Sequence, residues 1–306
     1  MTKWAYSPEL EAQRLLHVAH NIAVGFYKIN GFYPLAYPAV AGDNIVSLPD
    51  LPYLTIPRFW QLACQVVIDD LPIKAPAGLI KNTEKLLAQA HLPRPKFEQT
   101  QKAWAKIEAK VIAEIYKLIP SKKNAISKIV IWPTAFGTGC SFSLLKKSPG
   151  MVYVWLREDQ GVSSIVEAIL TSLTRYDVYS NLHGLWQESE IIVDWLLAYS
   201  PLSKLLPNSP KTINSTRSVQ NATLVQQSQK FMQHLGVPNV NLDTIKNIPQ
   251  DNFTPRERDI LSLLLTRSPA PVTMDSLGDI LFKDNLDAYS EYAIAKTIQR
   301  LRDKLE

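Results

Sequence analysis

The residues able to do chemistry in this chain are few and scattered. His17 and His20 stand one helical turn apart, His91, His183 and His234 lie far from them and from one another, and Cys64 and Cys140 belong to no CxxC pair. A zinc ion needs several such donors converging on one point. An HxxH pair with no third ligand nearby in sequence reads as a helix face, so no metal site and no cofactor is expected. The two cysteines read as small core residues. A nucleophilic Cys140 would have only His183 for a base, and nothing in the sequence places the two together. The stretch "TAFGTGCSFS", Thr134 to Ser143, has glycines after a strand-like run but lacks the Lys-Ser/Thr ending and the helix start whose amides hold phosphate. It reads as a turn, and no catalytic residue is assigned.

A denser set of polar donors lies in "YAIAKTIQRLRDKLE", Tyr292 to Glu306. Ile294, Ile298, Leu301 and Leu305 recur at spacings of 4, 3 and 4, which at 100° per residue makes one narrow apolar stripe. The opposite side carries Tyr292, Lys296, Gln299, Arg300 and Asp303, and Tyr289 extends it by a turn. Such a helix is seated by its stripe and offers a guanidinium, an ammonium and an amide to a major groove. Double-stranded DNA is therefore the expected partner. Arg300 and Lys296 are expected at base edges or phosphates, with Gln299, Tyr289 and Tyr292 on the same face and Arg302 and Lys304 flanking it at phosphate height.

Two shorter helices precede this one. In "FTPRERDILSLLL" Thr254 and Glu257 form a capping box around Pro255 at the first helical position, with Ile260, Leu261, Leu264 and Leu265 available for a core. "SPAPV" breaks that helix, and Thr273 caps "MDSLGDILF", which offers Leu277, Ile280 and Leu281. These three segments together resemble the winged-helix DNA-binding domain of OmpR-type transcriptional regulators, whose third helix ends in a closely similar I-x-x-L-R-x-K-L run. The resemblance covers 253–306 and implies a helix-turn-helix that binds duplex DNA. Two departures accompany it: the family's β-hairpin wing is missing or truncated at Glu306, and the preceding sequence shows no phosphoacceptor receiver.

The elements upstream must supply the rest. Of 306 residues, those from Asp251 onward hold eight Lys/Arg against ten Asp/Glu, a net −2, so the remainder carries +7 of the total +5. Anion binding by the C-terminal segment must then rest on local placement. Residues 207–230 lack aromatics and are rich in Ser, Thr, Asn and Gln, a composition that reads as a polar linker. "FMQHLGVPNV" after it docks on a flanking domain. The first 206 residues read as a helical α+β domain with a small sheet: helices including "FEQTQKAWAKIEAKVIAEIYKLI", then strands "KIVIWP" and "MVYVWL", then two more helices. Lys102, Lys106 and Lys110 recur every four residues and read as a solvated helix face.

The strand-then-helix order over about 125–200 resembles the layout of zincin metallopeptidases. Val166 and Leu170 stand where that family has its two histidine ligands, Glu167 where it has the general base, and Glu188 or Glu190 in the region of the third ligand. The resemblance implies a pseudoenzyme that has lost its metal. Nothing approaches the ~18 uninterrupted apolar residues of a membrane span, and no secretion signal opens the chain. The expectation is a cytoplasmic, non-enzymatic transcription regulator of mostly helical α+β class. Residues 1–206 would be a sensor or assembly domain, pairing with a second copy or another protein, and 231–306 a winged helix with its core at 253–306. The competing expectations are a zincin-like enzyme and a protein-interaction module.

Overall fold

The computed structural model describes residues 2–38, 42, 44–68, 71–145, 148–182, 186–206, 222–238, 253–267, 272–281 and 291–305. In chain order the elements are β1 (Thr2–Trp4), α1 (Pro8–Ala23), α2 (Phe26–Ile29), β2 (Tyr33–Ala36), β3 (Ile45–Leu48), α3 (Phe59–Cys64), α4 (Leu79–Gln89) and α5 (Glu98–Leu118). They continue with β4 (Ile126–Thr134), β5 (Cys140–Phe142), β6 (Gly150–Arg157), α6 (Val162–Asn181), α7 (Trp186–Tyr199), α8 (Ala222–His234), α9 (Pro255–Arg267), α10 (Met274–Leu281) and α11 (Glu291–Leu305). The fold is α+β and mostly helical. It divides into two compact units, one of Met1–Ala23 with Gly31–Val237, the other of Val24–Asn30 with Pro238–Glu306.

The first unit is organised by a four-stranded sheet in the order β1-β4-β6-β5. β4 and β6 pair in parallel from Lys128 against Met151 to Thr134 against Arg157, β1 adds in parallel to β4, and β5 closes the other edge antiparallel to β6. A parallel strand covered on both faces needs apolar side chains throughout, which is why "KIVIWP" and "MVYVWL" read as unbroken apolar runs. Ile129, Ile131, Val152, Val154 and Leu156 join α5, α6 and α7 in one core. Trp132 and Trp155 alternate to the opposite face, their rings 5.2 Å apart, where Trp155 meets His17 of α1. On α5, Trp104, Val111 and Ile115 are buried while Lys102, Lys106 and Lys110 are exposed. Trp104 Nε1 donates to Thr2 Oγ1 (2.9 Å), and that hydroxyl donates to Glu108 (2.7 Å), tying the short β1 to α5.

The boundary between the units differs from the sequence expectation. Residues 207–221 of the expected linker lie outside the described residues, but Ala222–His234 form a helix belonging to the first unit. Leu224, Val225, Ser228, Phe231, Met232 and Leu235 are its covered positions, a helical stripe interrupted by one serine. That serine and the glutamines around it hid the pattern. Trp60 Nε1 donates to the Leu235 carbonyl (3.0 Å), and His234 Nε2 lies 3.0 Å from Asp50. Residues 231–237, assigned above to the winged helix, are therefore part of the N-terminal unit.

Candidate nucleic-acid interface

The C-terminal unit is built from its caps upward. The Thr254 amide donates to Glu257 Oε2 (2.8 Å) and the Glu257 amide to Thr254 Oγ1 (3.3 Å), the reciprocal box that starts α9. The Ser276 amide donates to Thr273 Oγ1 (3.2 Å) at the start of α10. These capped helices bring Phe253, Ile260, Leu261, Leu277 and Leu281 together with Ile294 and Leu301 of α11 in one buried cluster, with Leu264 and Ile298 packed at its edge. The side chains of Leu265, Ile280 and Leu305 lie outside the described residues.

Seating Ile294 and Leu301 inward exposes Tyr292, Lys296, Gln299, Arg300, Arg302, Asp303 and Lys304. Tyr292 is 74% exposed, and Lys296 Nζ stands 6.0 Å from the centre of its ring. Gln299 Nε2 donates to Asp303 Oδ1 (2.8 Å), so an acceptor sits amid the donors of this face. Arg300 lies one turn beyond Lys296. Tyr289 lies outside the described residues. Lys304 departs from its expected phosphate position: its ammonium donates to Glu257 Oε2 (2.8 Å) and stands 5.6 Å from the Phe253 ring centre. That hydrogen bond, followed by the one from the Thr254 amide, holds the Glu257 carboxyl below the usual carboxylate range. Lys304 thus locks the last helix to the first. The periodicity of α11 places Lys304 on a flank of the exposed face and carries no sign of Glu257, 47 residues earlier in the chain.

In the N-terminal unit, Val166 and Leu170 are wholly buried core residues. Arg175 Nη2 lies 3.6 Å from Glu190 Oε1. Burial pushes the Cys140 thiol well up, with Glu167 adding to the effect. His17 is held well below the usual imidazole range by burial and then by Arg14, while His20 Nδ1 lies 3.0 Å from the Ala63 carbonyl, so the two rings serve separate packing roles. His183 lies outside the described residues. Among the described residues no group of three or more His, Cys, Asp or Glu is placed to hold a metal ion.

Carbonyls of the loop Thr134–Ser143 are the acceptors for two buried arginines. Buried Arg14 donates from Nε to Phe136 O (3.1 Å), from Nη2 to Thr138 O (3.3 Å) and from Nη1 to Ser141 Oγ (2.8 Å). Buried Arg157 donates from Nη1 to Gly137 O (2.9 Å) and Ile45 O (2.7 Å), with Asp159 pairing its Nε at 2.7 Å. Two guanidiniums thus hold the loop by its carbonyls. Beside the loop, Glu11 Oε1 accepts from the Ala135 amide (2.9 Å), and Tyr37 OH donates to Glu158 (3.1 Å). Burial and then Glu158 push the Tyr37 hydroxyl up to about 12. Sequence reading passed over Arg14, Glu11 and Arg157. The available signal was a charge inside an otherwise apolar stripe, as Arg14 is in "RLLHVAHNIAV".

No helix among the described residues is long and apolar enough to cross a membrane. Compared with family models, curated proteins and solved structures, the chain matches none.

Proposed function

We propose that the chain is a cytoplasmic, non-enzymatic regulator that binds double-stranded DNA through α11, with the N-terminal unit as a sensor or assembly module. The observation that carries this reading is the division of α11: Ile294 and Leu301 are buried, while Lys296, Gln299, Arg300 and Tyr292 share the exposed side. The likeness of 253–306 to OmpR-type winged helices supports the same reading. In the complex Arg300 presents its fork to a guanine edge, Lys296 meets phosphate or base, and Arg302 meets phosphate. Lys304 and Glu257 hold the helix in place. The net −2 of the segment favours, as a second reading, a protein-contact module.

Anisotropy titration of the full chain with mixed-sequence duplex DNA at two salt concentrations separates the two. Arg300→Ala is expected to weaken preferred sites by about 1–3 kcal/mol and relax sequence preference, whereas Arg302→Ala weakens all sequences alike. Each lost phosphate contact reduces the log–log salt slope by about 0.9. Lys304→Ala is expected to lower the stability of the C-terminal unit more than its intrinsic affinity. Equal binding by wild type and the Lys296→Ala/Arg300→Ala double variant, or no binding at low salt, would transfer α11 to protein contact.

A further inference from the structure

α7 is apolar on two sides. Its inner side, with Val193, Leu196 and Leu197, belongs to the core beneath the sheet. Its outer side carries Ile191, Trp195 and Tyr199 at successive four-residue steps, 44%, 51% and 58% exposed, with Ile192 beside them. A helix that is apolar all round is stable in water when both sides are covered. The four side chains expose on the order of 400 Å² per copy, a patch size that often marks an interaction site.

We propose that this stripe pairs with the same stripe of a second copy of the chain, α7 against α7, antiparallel about a two-fold axis at Trp195. An isologous contact requires a surface complementary to itself. Ile191 and Tyr199 lie equally far on either side of Trp195, so the rotation sets each Ile191 against the Tyr199 of the other copy. Charge selects the direction. Exposed Glu188 stands at the N-terminal end of the stripe and exposed Lys204 beyond its C-terminal end. Antiparallel pairing brings the Glu188 end to the Lys204 end, opposite charges meeting at both rims, while parallel pairing sets like charges and like helix dipoles side by side. Two such stripes cover roughly 800 Å² of apolar surface. With the apolar share typical of homodimers this implies a total near 1,200 Å², the lower edge of stable interfaces. Association in the micromolar range follows, confined to the N-terminal unit and independent of the DNA reading.

Sedimentation velocity of the full chain across a concentration series tests the pairing. Wild type is expected to move from monomer toward twice the monomer mass. Trp195→Glu, which sets two carboxylates face to face at the axis, is expected to weaken association by at least about tenfold with the circular-dichroism spectrum unchanged. Ile191→Glu serves as the second variant if Trp195→Glu misfolds. Glu188→Lys and Lys204→Glu are each expected to weaken the dimer and, combined, to restore it. A wild type that stays monomeric overturns the proposal and leaves the stripe to another segment or another protein. A dimer insensitive to both stripe variants overturns it in favour of a different surface, and failure of the combined charge reversal overturns the antiparallel arrangement.

Discussion

Gly137→Ala is expected to destabilise the N-terminal unit by about 3–5 kcal/mol. Gly137 has φ +89°, a region that L side chains enter only with strain, and a Cβ there would overlap the Arg14 guanidinium. The backbone has no room to retreat. The Gly137 amide donates to Ser47 O (2.7 Å), and its carbonyl accepts from Ser47 N (3.0 Å) and Arg157 Nη1 (2.9 Å). Displaced Arg14 would leave the Phe136 and Thr138 carbonyls unpaired and a charge buried without partners, the expensive way to break such a contact. Denaturation followed by tryptophan fluorescence measures the loss. In an Arg14→Ala background the same glycine change is expected to have a much smaller effect, because the clash is gone. Strict additivity of the two changes would show that Arg14 is not what the new methyl group meets.

Glu11→Gln is expected to leave stability nearly unchanged near pH 4.5 and to raise it increasingly toward pH 8, by at most about 3 kcal/mol. Burial pushes the Glu11 carboxyl up to about 7, against the opposing pull of the Ala135 amide, Thr134 and Arg14, with Glu158 reinforcing the rise. Below about pH 4.5 the carboxyl is protonated in both folded and unfolded chains. Between there and 7 only the folded chain keeps the proton, so the stability this group contributes is lost as pH rises through that window and levels off above it. Tyr6 and Tyr37, which also face this region, have raised pKa values and stay neutral throughout. Glutamine keeps the acceptor for Ala135 without the charge. Melting both proteins across the pH range checks this, and a difference that does not change with pH would mean that Glu11 ionises normally.

The sequence by itself determined the parts of this protein that depend on neighbours within a turn or two. Thr254 and Glu257 had to cap α9, Thr273 had to cap α10, and the spacing of Ile294, Ile298 and Leu301 had to turn Lys296, Gln299 and Arg300 outward, because capping and helical period act over three or four residues. The short β-branched and aromatic runs of β4 and β6 announced strands, while their parallel pairing and cover on both faces came from the tertiary structure. Tertiary structure alone decided the remainder. β1 and β5 have three residues each, too short to show a period, and they exist because β4 and β6 offer unpaired edges. α8 is held by a tryptophan 175 residues away, and Arg14 finds its carbonyl acceptors more than 120 residues downstream. Lys304 was assigned to a phosphate and is bound to Glu257 instead. The energy of a charged side chain is set by what surrounds it, and for a buried charge those surroundings come from segments distant in the chain.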